Sequence, residues 1–124
     1  MTPQPAKSEN RRASVRIACR IPGVLSCDTG LELTCQTLDL SLGGLRVQLP
    51  NRLRDTSGHT IEAITLRGVP RLSVQLRWAR DHEAGLAFTG NKSEAALVRA
   101  LLVHLAKARA EAQKARLRPV QNPS

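Results

Sequence analysis

Aromatic side chains are almost absent from this chain of 124 residues, which has one tryptophan, one phenylalanine and no tyrosine. A core must therefore be built from leucine, valine, isoleucine and alanine. The same scarcity argues against single-stranded nucleic acid binding through stacked bases, because such binding depends on exposed aromatic rings. Apolar residues make up 41% of the chain and charged residues 23%, which is typical of one globular domain.

The chain also has few cysteines and no long apolar segment. Cys19, Cys27 and Cys35 are spaced eight residues apart without a close pair, so a disulfide framework and a zinc site are both disfavoured. We interpret them as small apolar strand residues in a reducing compartment. No run of eighteen apolar residues occurs and residues 1–10 are polar. We therefore expect no membrane span, no secretory signal and a cytoplasmic location.

Acidic residues are scarce as well, since 19 basic residues against 10 acidic ones give a formal net charge of +9. Residues 1–10 are predicted to form a flexible tail. A basic segment without any acidic residue follows it and contains Arg11, Arg12, Arg16 and Arg20. Such a segment is typical of a solvated arm or of an electrostatic contact with nucleic acid.

Residues 17–88 favour β-structure. Apolar and polar residues alternate over residues 31–37, 45–49 and 72–78, which is the period-two pattern of half-buried strands. Trp78, at the end of one such stretch, is expected in the core or at the rim of the sheet. Turn-rich segments separate six short strands in all. We predict a mainly β fold, a six-stranded antiparallel Greek-key barrel, because closure leaves a small sheet without free edges.

The end of the chain changes to a helical period. Asn91 and Glu94 resemble a capping box, and apolar residues then recur at helical spacing over residues 97–105. We expect a C-terminal α-helix that packs on the barrel, with the domain spanning residues 11–105. Residues 106–124 lose the apolar stripe and are predicted to be a basic helical extension or a disordered tail.

Two short sequence patterns contain the candidate ligand-binding residues. Arg12 and Arg16 form R-x-x-x-R directly before the first strand, and Asp39, Ser41 and Gly44 form D-x-S-x-x-G, which begins 23 residues after Arg16. Each pattern alone is weak evidence. Arginines four residues apart occur by chance in so basic a chain, and D-x-S-x-x-G is usually a turn whose glycine supplies a positive φ.

Together and in this order, the two patterns resemble those of the PilZ family, bacterial receptors for the second messenger cyclic di-GMP. The likeness covers roughly residues 11–105, and the adjacent glycines Gly43 and Gly44 are similar to those in PilZ domains of bacterial cellulose synthases. The resemblance implies a PilZ-like barrel that changes conformation when it binds cyclic di-GMP. It also implies regulation of a protein partner in motility, exopolysaccharide or virulence pathways. The implied ligand-binding residues are Arg12, Arg16, Asp39, Ser41 and Gly44.

The residue types suit this ligand. Arginine presents five donors in a planar fork that matches phosphate oxygens and the O6/N7 edge of guanine. An ionised Asp39 accepts bonds from the guanine N1–H and N2 amine, Ser41 gives or receives one bond, and amides near Gly43 and Gly44 can face an anion. The spacing permits these contacts, and the resemblance implies them.

Arg11 and Arg20 are two further candidates for ligand contact. Arg11 precedes the first motif arginine, and the resemblance implies that the residue at this position influences whether one ligand molecule or an intercalated pair binds. Arg20 falls inside a strand, so we expect it to be a solvated surface residue.

We predict a protein without catalytic residues, cofactor or metal. The three histidines fall in a loop, a turn and a helix without an evident link to Asp39 or Ser41, and no P-loop, H-E-x-x-H or G-x-S-x-G pattern occurs. Two alternatives stay open: a basic β-barrel that binds nucleic acid nonspecifically, and a PilZ-like interaction module that senses no ligand. The missing aromatic platform disfavours the first, and the intact motif pair disfavours the second. Either a monomer or a dimer is compatible with the sequence.

Overall fold

The computed structural model describes residues 15–50 and 58–116. Six strands are followed by one helix, in the order in which the sequence predicts them. The elements are β1 (Ile17–Cys27), β2 (Glu32–Leu40), β3 (Gly44–Gln48), β4 (Ile61–Leu66), β5 (Leu72–Arg80), β6 (Glu83–Phe88) and α1 (Lys92–Arg116).

The strands form a closed barrel in the order β1-β2-β3-β6-β5-β4, and β4 pairs back with β1. All neighbouring strands are antiparallel. β4, β1, β2 and β3 therefore lie side by side in the order that defines a Greek key. The predicted six-stranded antiparallel Greek-key barrel with a C-terminal helix is confirmed.

Aliphatic side chains fill the barrel, as the scarcity of aromatics predicts. Its largest fully buried apolar side chains are Leu25, Leu40, Leu45, Ile64, Leu66, Leu72, Val47 and Val98. Cys27 and Cys35 belong to the same core, whereas Cys19 is half-buried, and all three are free thiols. Burial raises the pKa of the Cys35 thiol to about 11, so this side chain is protonated at neutral pH.

The helix α1 begins as the capping pattern predicts, because Oδ1 of Asn91 accepts a bond from the Glu94 N–H at 3.0 Å. The carboxylate of Glu94 does not complete a capping box. It turns instead to β5 and accepts bonds from the Ser73 N–H at 2.6 Å and from the Ser73 hydroxyl at 3.2 Å. These bonds fix the start of the helix on the barrel wall.

Only part of α1 packs on the barrel. Val98 is buried in the core, and four leucines on the predicted apolar face are half-buried: Leu97, Leu101, Leu102 and Leu105. Past these residues α1 continues to Arg116, although every side chain in residues 106–115 is exposed. Within the described residues, no helix has the length and apolarity needed to cross a membrane.

A register shift in β2 decides which way Asp39 faces. The pairing of β2 with β3 passes from Thr37↔Val47 to Asp39↔Arg46, so β2 contains one extra residue, Leu38. Because side chains alternate along a strand, uninterrupted pairing would place Asp39 on the inner face with Thr37. The bulge instead directs Leu40 into the core, where it is 0% exposed, and Asp39 to the outer surface.

The predicted alternation of β5 holds only in its first half. Leu72 and Val74 are buried, but Leu76 is 39% exposed and Trp78 is 43% exposed. Of the two predicted places for Trp78, the core and the rim of the sheet, the structure excludes the core. Among the described residues, β5 has no paired strand beyond Ser73 on the edge that faces β4, which leaves Leu76 accessible. Trp78 faces outward because the pairing of β5 with β6 shifts in register between Leu76 and Trp78, so that Trp78 lies opposite Gly85.

Thr37 is a polar residue in the apolar core. Its side chain is 0% exposed, and its hydroxyl has no hydrogen-bond partner among the described residues. A buried polar group without a partner costs about 1–3 kcal/mol. We therefore expect Thr37→Val, which keeps the shape, to raise the free energy of unfolding by about 1 kcal/mol in urea denaturation.

Thr34 provides the matched control for this substitution, since it lies on the same strand at an exposed position. Thr34→Val should change the free energy of unfolding by no more than about 0.5 kcal/mol. A Thr37→Val variant less stable than the wild-type domain would contradict the prediction.

Candidate ligand-binding site

Four charged side chains meet on the outer surface of the barrel around Asp39. Oδ1 of Asp39 accepts a bond from Nη1 of Arg16 at 2.7 Å, and Oδ2 accepts a bond from Nε of Arg46 at 2.9 Å. Arg46 also donates through Nη1 to Oε1 of Glu83 at 2.9 Å. This Asp39 cluster, composed of Arg16, Asp39, Arg46 and Glu83, links the residue just before β1 to β2, β3 and β6.

The Asp39 cluster orients its members more than it stabilises the fold. The Asp39 side chain is 13% exposed, but those of Arg46 and Glu83 are each 39% exposed and that of Arg16 is 52% exposed. Ion pairs with partners this accessible contribute about 0–1 kcal/mol each. The hydrogen bonds from Arg46 to Asp39 and to Glu83 raise the pKa of Arg46 above its ordinary value, so its guanidinium stays charged.

The rest of the D-x-S-x-x-G pattern forms the connection between β2 and β3. Ser41 is buried, and its N–H donates to the Gly44 carbonyl at 2.8 Å. The Ser41 hydroxyl donates to the same carbonyl at 3.1 Å and accepts a bond from the Gly44 N–H at 3.2 Å. Ser41 and the Gly44 amide thus hold the turn together, and Gly43 is the exposed glycine of the pair. Direct ligand contact by Ser41 and Gly44 stays a prediction.

Gly44 is required for close strand packing and not for a positive φ. The glycines with positive φ are Gly30, Gly58 and Gly68, so the expectation from the turn pattern is wrong for Gly44. A Cβ atom on Gly44 would overlap the carbonyl oxygen of Leu86 on the neighbouring strand β6. The glycine therefore allows β3 and β6 to approach each other beneath the Asp39 cluster.

A cleft of about 440 Å³ lies beside the Asp39 cluster. Small residues of β3 and β6 line it, namely Gly44, Gly85 and Ala87, together with Arg77 and Trp78 from the end of β5. Asp39 of β2 and Trp78 of β5 therefore border the same cleft, although they lie far apart in the chain.

Trp78 lines this cleft from β5 and covers Gly85 of β6. Its indole packs so closely on Gly85 that a Cβ atom there would overlap the ring. The guanidinium carbon of Arg80 lies 6.0 Å from the ring centroid, near the limit for a cation–π contact. Trp78 as a whole residue is 43% exposed, so part of its surface is accessible to a ligand.

The described residues of both sequence patterns converge on this cleft. Arg16, Asp39, Ser41, Gly43 and Gly44 all line it, although Arg16 and Asp39 are 23 residues apart in the chain. Arg11 and Arg12 lie outside the described residues. Arg20 is exposed on β1 and does not line the cleft, in agreement with the expected solvated position.

A protein-family model described as PilZ domain matches residues 10–107. This match spans more than three quarters of the chain. The chain belongs to the PilZ domain family. The resemblance inferred from the arginine and D-x-S-x-x-G patterns is therefore confirmed.

Two solved structures are similar to this PilZ domain. The PilZ domain of CeSA from a cellulose-synthesizing bacterium is 26% identical, with a TM-score of 0.58, and the match covers 75% of this chain and 99% of that one. The PilZ domain of YcgR from Escherichia coli, solved with c-di-GMP, has a TM-score of 0.66 at 15% identity and covers 81% of this chain and 95% of that one. At 15% identity the likeness shows the fold alone. No curated protein matches the chain.

Among the residues that line the cleft of this PilZ domain, sequence reasoning missed Arg46, Arg77 and Trp78, whose side chains are charged or aromatic. The two arginines had the pattern of solvated positions on alternating strands, which gave no signal of a shared site. The sequence predicts Trp78 in the core or at the rim of the sheet, but the register shift that turns it to the outer surface is not visible in the sequence.

The two adjacent glycines of the turn offer a matched pair of substitutions. Gly44→Ala should destabilise the domain by about 1–3 kcal/mol, since the added Cβ forces β3 and β6 apart. Gly43→Ala should change stability by no more than about 0.5 kcal/mol, because no atom lies within 4 Å of its Cβ position. Thermal or urea denaturation of both variants tests this. Equal stabilities of the two would contradict the close-packing role of Gly44.

Proposed function

We propose that this PilZ domain is a non-enzymatic receptor that binds cyclic di-GMP in the cleft beside Asp39. The observation that carries the proposal is the contact between the two sequence patterns, Nη1 of Arg16 on Oδ1 of Asp39 at 2.7 Å, at the edge of an open cleft. The ligand of the YcgR PilZ domain supports the choice of dinucleotide.

Asp39 is proposed to recognise the guanine base. Its carboxylate has about four lone-pair sites, so it can keep its bond to Arg46 while it accepts bonds from the guanine N1–H and N2 amine. Arg16, which is half exposed at the mouth of the cleft, is proposed to bind the O6/N7 edge or a phosphate.

The phosphates need more positive charge than the Asp39 cluster supplies. Its two arginines are balanced by Asp39 and Glu83, whereas the ligand carries two anionic phosphates. Arg77 also lines the cleft. We assign Arg77 to the phosphates, together with Arg12 and Arg11 of the sequence pattern.

Ligand contacts from the arginines before β1 would fix that segment against the barrel wall. Occupancy of the cleft is thereby coupled to the surface that the domain offers to a protein partner. In this proposal the output is a motility, exopolysaccharide or virulence pathway in the bacterial cytoplasm.

Isothermal titration calorimetry with cyclic di-GMP tests the proposal. We expect binding at micromolar ligand, and we expect Arg16→Ala and Asp39→Ala each to weaken it about 10- to 100-fold, the effect of losing hydrogen bonds to a charged group. Arg67→Ala is the control, since Arg67 is exposed at the end of β4 and does not line the cleft.

Three outcomes would overturn the proposal or its site. Absence of binding at micromolar ligand removes the function. Full affinity in both site variants removes the site. Equal binding of a plain guanine-containing oligonucleotide, with a steep salt dependence, would indicate a nucleic acid binder instead.

Trp78 supplies a spectroscopic test, because it is the only tryptophan of the chain and lines the cleft. A guanine stacked on the indole should quench its fluorescence in proportion to occupancy. Trp78→Leu should weaken binding about 5- to 100-fold, in line with about 1–3 kcal/mol for one stacked base. Saturation detected by calorimetry without any change in fluorescence would exclude Trp78 from the site.

A further inference from the structure

Arg46 lies outside both sequence patterns, yet among the described arginines of the cleft it has the most side-chain hydrogen bonds. It sits in the middle of β3, which is paired with β2 on one side and with β6 on the other. Its guanidinium bonds in two directions, through Nε to Oδ2 of Asp39 and through Nη1 to Oε1 of Glu83, both at 2.9 Å. The two carboxylates fix the plane of the guanidinium between them.

This arrangement restricts the Asp39 carboxylate. The terminal torsion of an aspartate is broad, so a carboxylate with a single partner rotates easily. Because Arg46 occupies Oδ2, the other oxygen, Oδ1, is the one that faces Arg16 at the cleft. Glu83 in turn holds Arg46 in the rotamer that reaches Asp39.

We propose that Arg46, anchored by Glu83, positions the Asp39 carboxylate for the guanine edge and thereby determines the preference for purines that carry a 2-amino group. The inference rests on the proposed binding of cyclic di-GMP beside Asp39. Arg46 is a positioning residue in this assignment, because it acts through Asp39 and not through its own contact with the ligand.

The contacts of Arg46 argue against a direct phosphate-binding role. Two of its nitrogen atoms already donate to carboxylates, and the negative charges of Asp39 and Glu83 offset its positive charge. A phosphate would have to compete with both partners. Loss of Arg46 should therefore impair base discrimination more than it impairs attraction to the anionic backbone of the ligand.

The test compares cyclic di-GMP with cyclic di-IMP, whose hypoxanthine bases lack only the 2-amino group of guanine. We expect the wild-type domain to bind cyclic di-GMP about tenfold more tightly or better, as the loss of one charge-assisted hydrogen bond predicts. Arg46→Gln should reduce that ratio toward one and change the affinity for cyclic di-IMP by less than about threefold. Glu83→Gln, which keeps an acceptor oxygen for Arg46 but loses the charge, should give an intermediate ratio.

A double-mutant cycle separates positioning from direct contact. If Arg46 acts through Asp39, then Arg46→Gln combined with Asp39→Asn should bind cyclic di-GMP as Asp39→Asn alone does. The control is Arg71→Gln, which removes an exposed ion pair between Arg71 and Glu62 at 3.2 Å outside the cleft and should leave the ratio unchanged.

The possible failures are distinguishable. A wild-type domain that binds neither ligand removes the proposed function and this inference with it. A domain that binds cyclic di-GMP but shows no preference, an unchanged ratio in Arg46→Gln, equal losses for both ligands, or additive losses in the cycle removes the inference alone. Arg46→Lys, which keeps the charge without the planar fork, supplies the same comparison if Arg46→Gln does not fold.

Discussion

One extra residue in β2 governs the candidate site, because it determines on which side of the barrel wall the Asp39 carboxylate lies. Without the insertion of Leu38, the side-chain alternation of β2 would direct an ionised group into an aliphatic core. Burying an unpaired carboxylate there costs far more than the barrel can offset. Because of the bulge, Leu40 fills the core while Asp39 forms ion pairs with Arg16 and Arg46 on the outer surface. The pairing of β1 with β2 also shifts in register next to Asp39, between Ala18 and Ile21 of β1.

The fold was predictable because its main determinants are local. Period-two alternation defines the strands, and Asn91 marks the start of the helix as its cap. What sequence reasoning lacked was pairing between distant strands. The need for glycine at position 44 comes from Leu86 on β6, and the exposure of Trp78 comes from a register shift in its pairing with the same strand. Neither neighbour can be found by inspection of a local window.

The sequence predicted only that part of the candidate site which is formed by residues of the two sequence patterns. Arg16 and Asp39 were paired by resemblance to the family, and the structure places them in contact. Arg46 and Glu83 belong to no pattern, and each alone is an ordinary charged residue on a strand. Their importance depends on geometry: Arg46 lies opposite Gly85 in the β3–β6 pair, and the Trp78 indole packs on the same glycine. Small residues of β3 and β6 and long side chains from neighbouring strands together line the cleft.

Under the proposed function, the same geometry would divide recognition of a cyclic dinucleotide between two kinds of residue. Asp39 and Arg46 stand on strands that are hydrogen-bonded on both edges, and the Asp39 side chain is only 13% exposed. Hydrogen bonds at such a position are weakly screened and strongly directional, which suits discrimination between bases. Arg16 lies just before the first residue of β1, and its side chain is 52% exposed. Water and salt therefore screen its charge more strongly. Under the same proposal, salt should therefore weaken the contribution of Arg16 more than it weakens the base selectivity assigned to Asp39. If electrostatic attraction of the ligand and discrimination between bases depend on different elements of the fold, a substitution can change one of these properties without loss of the other.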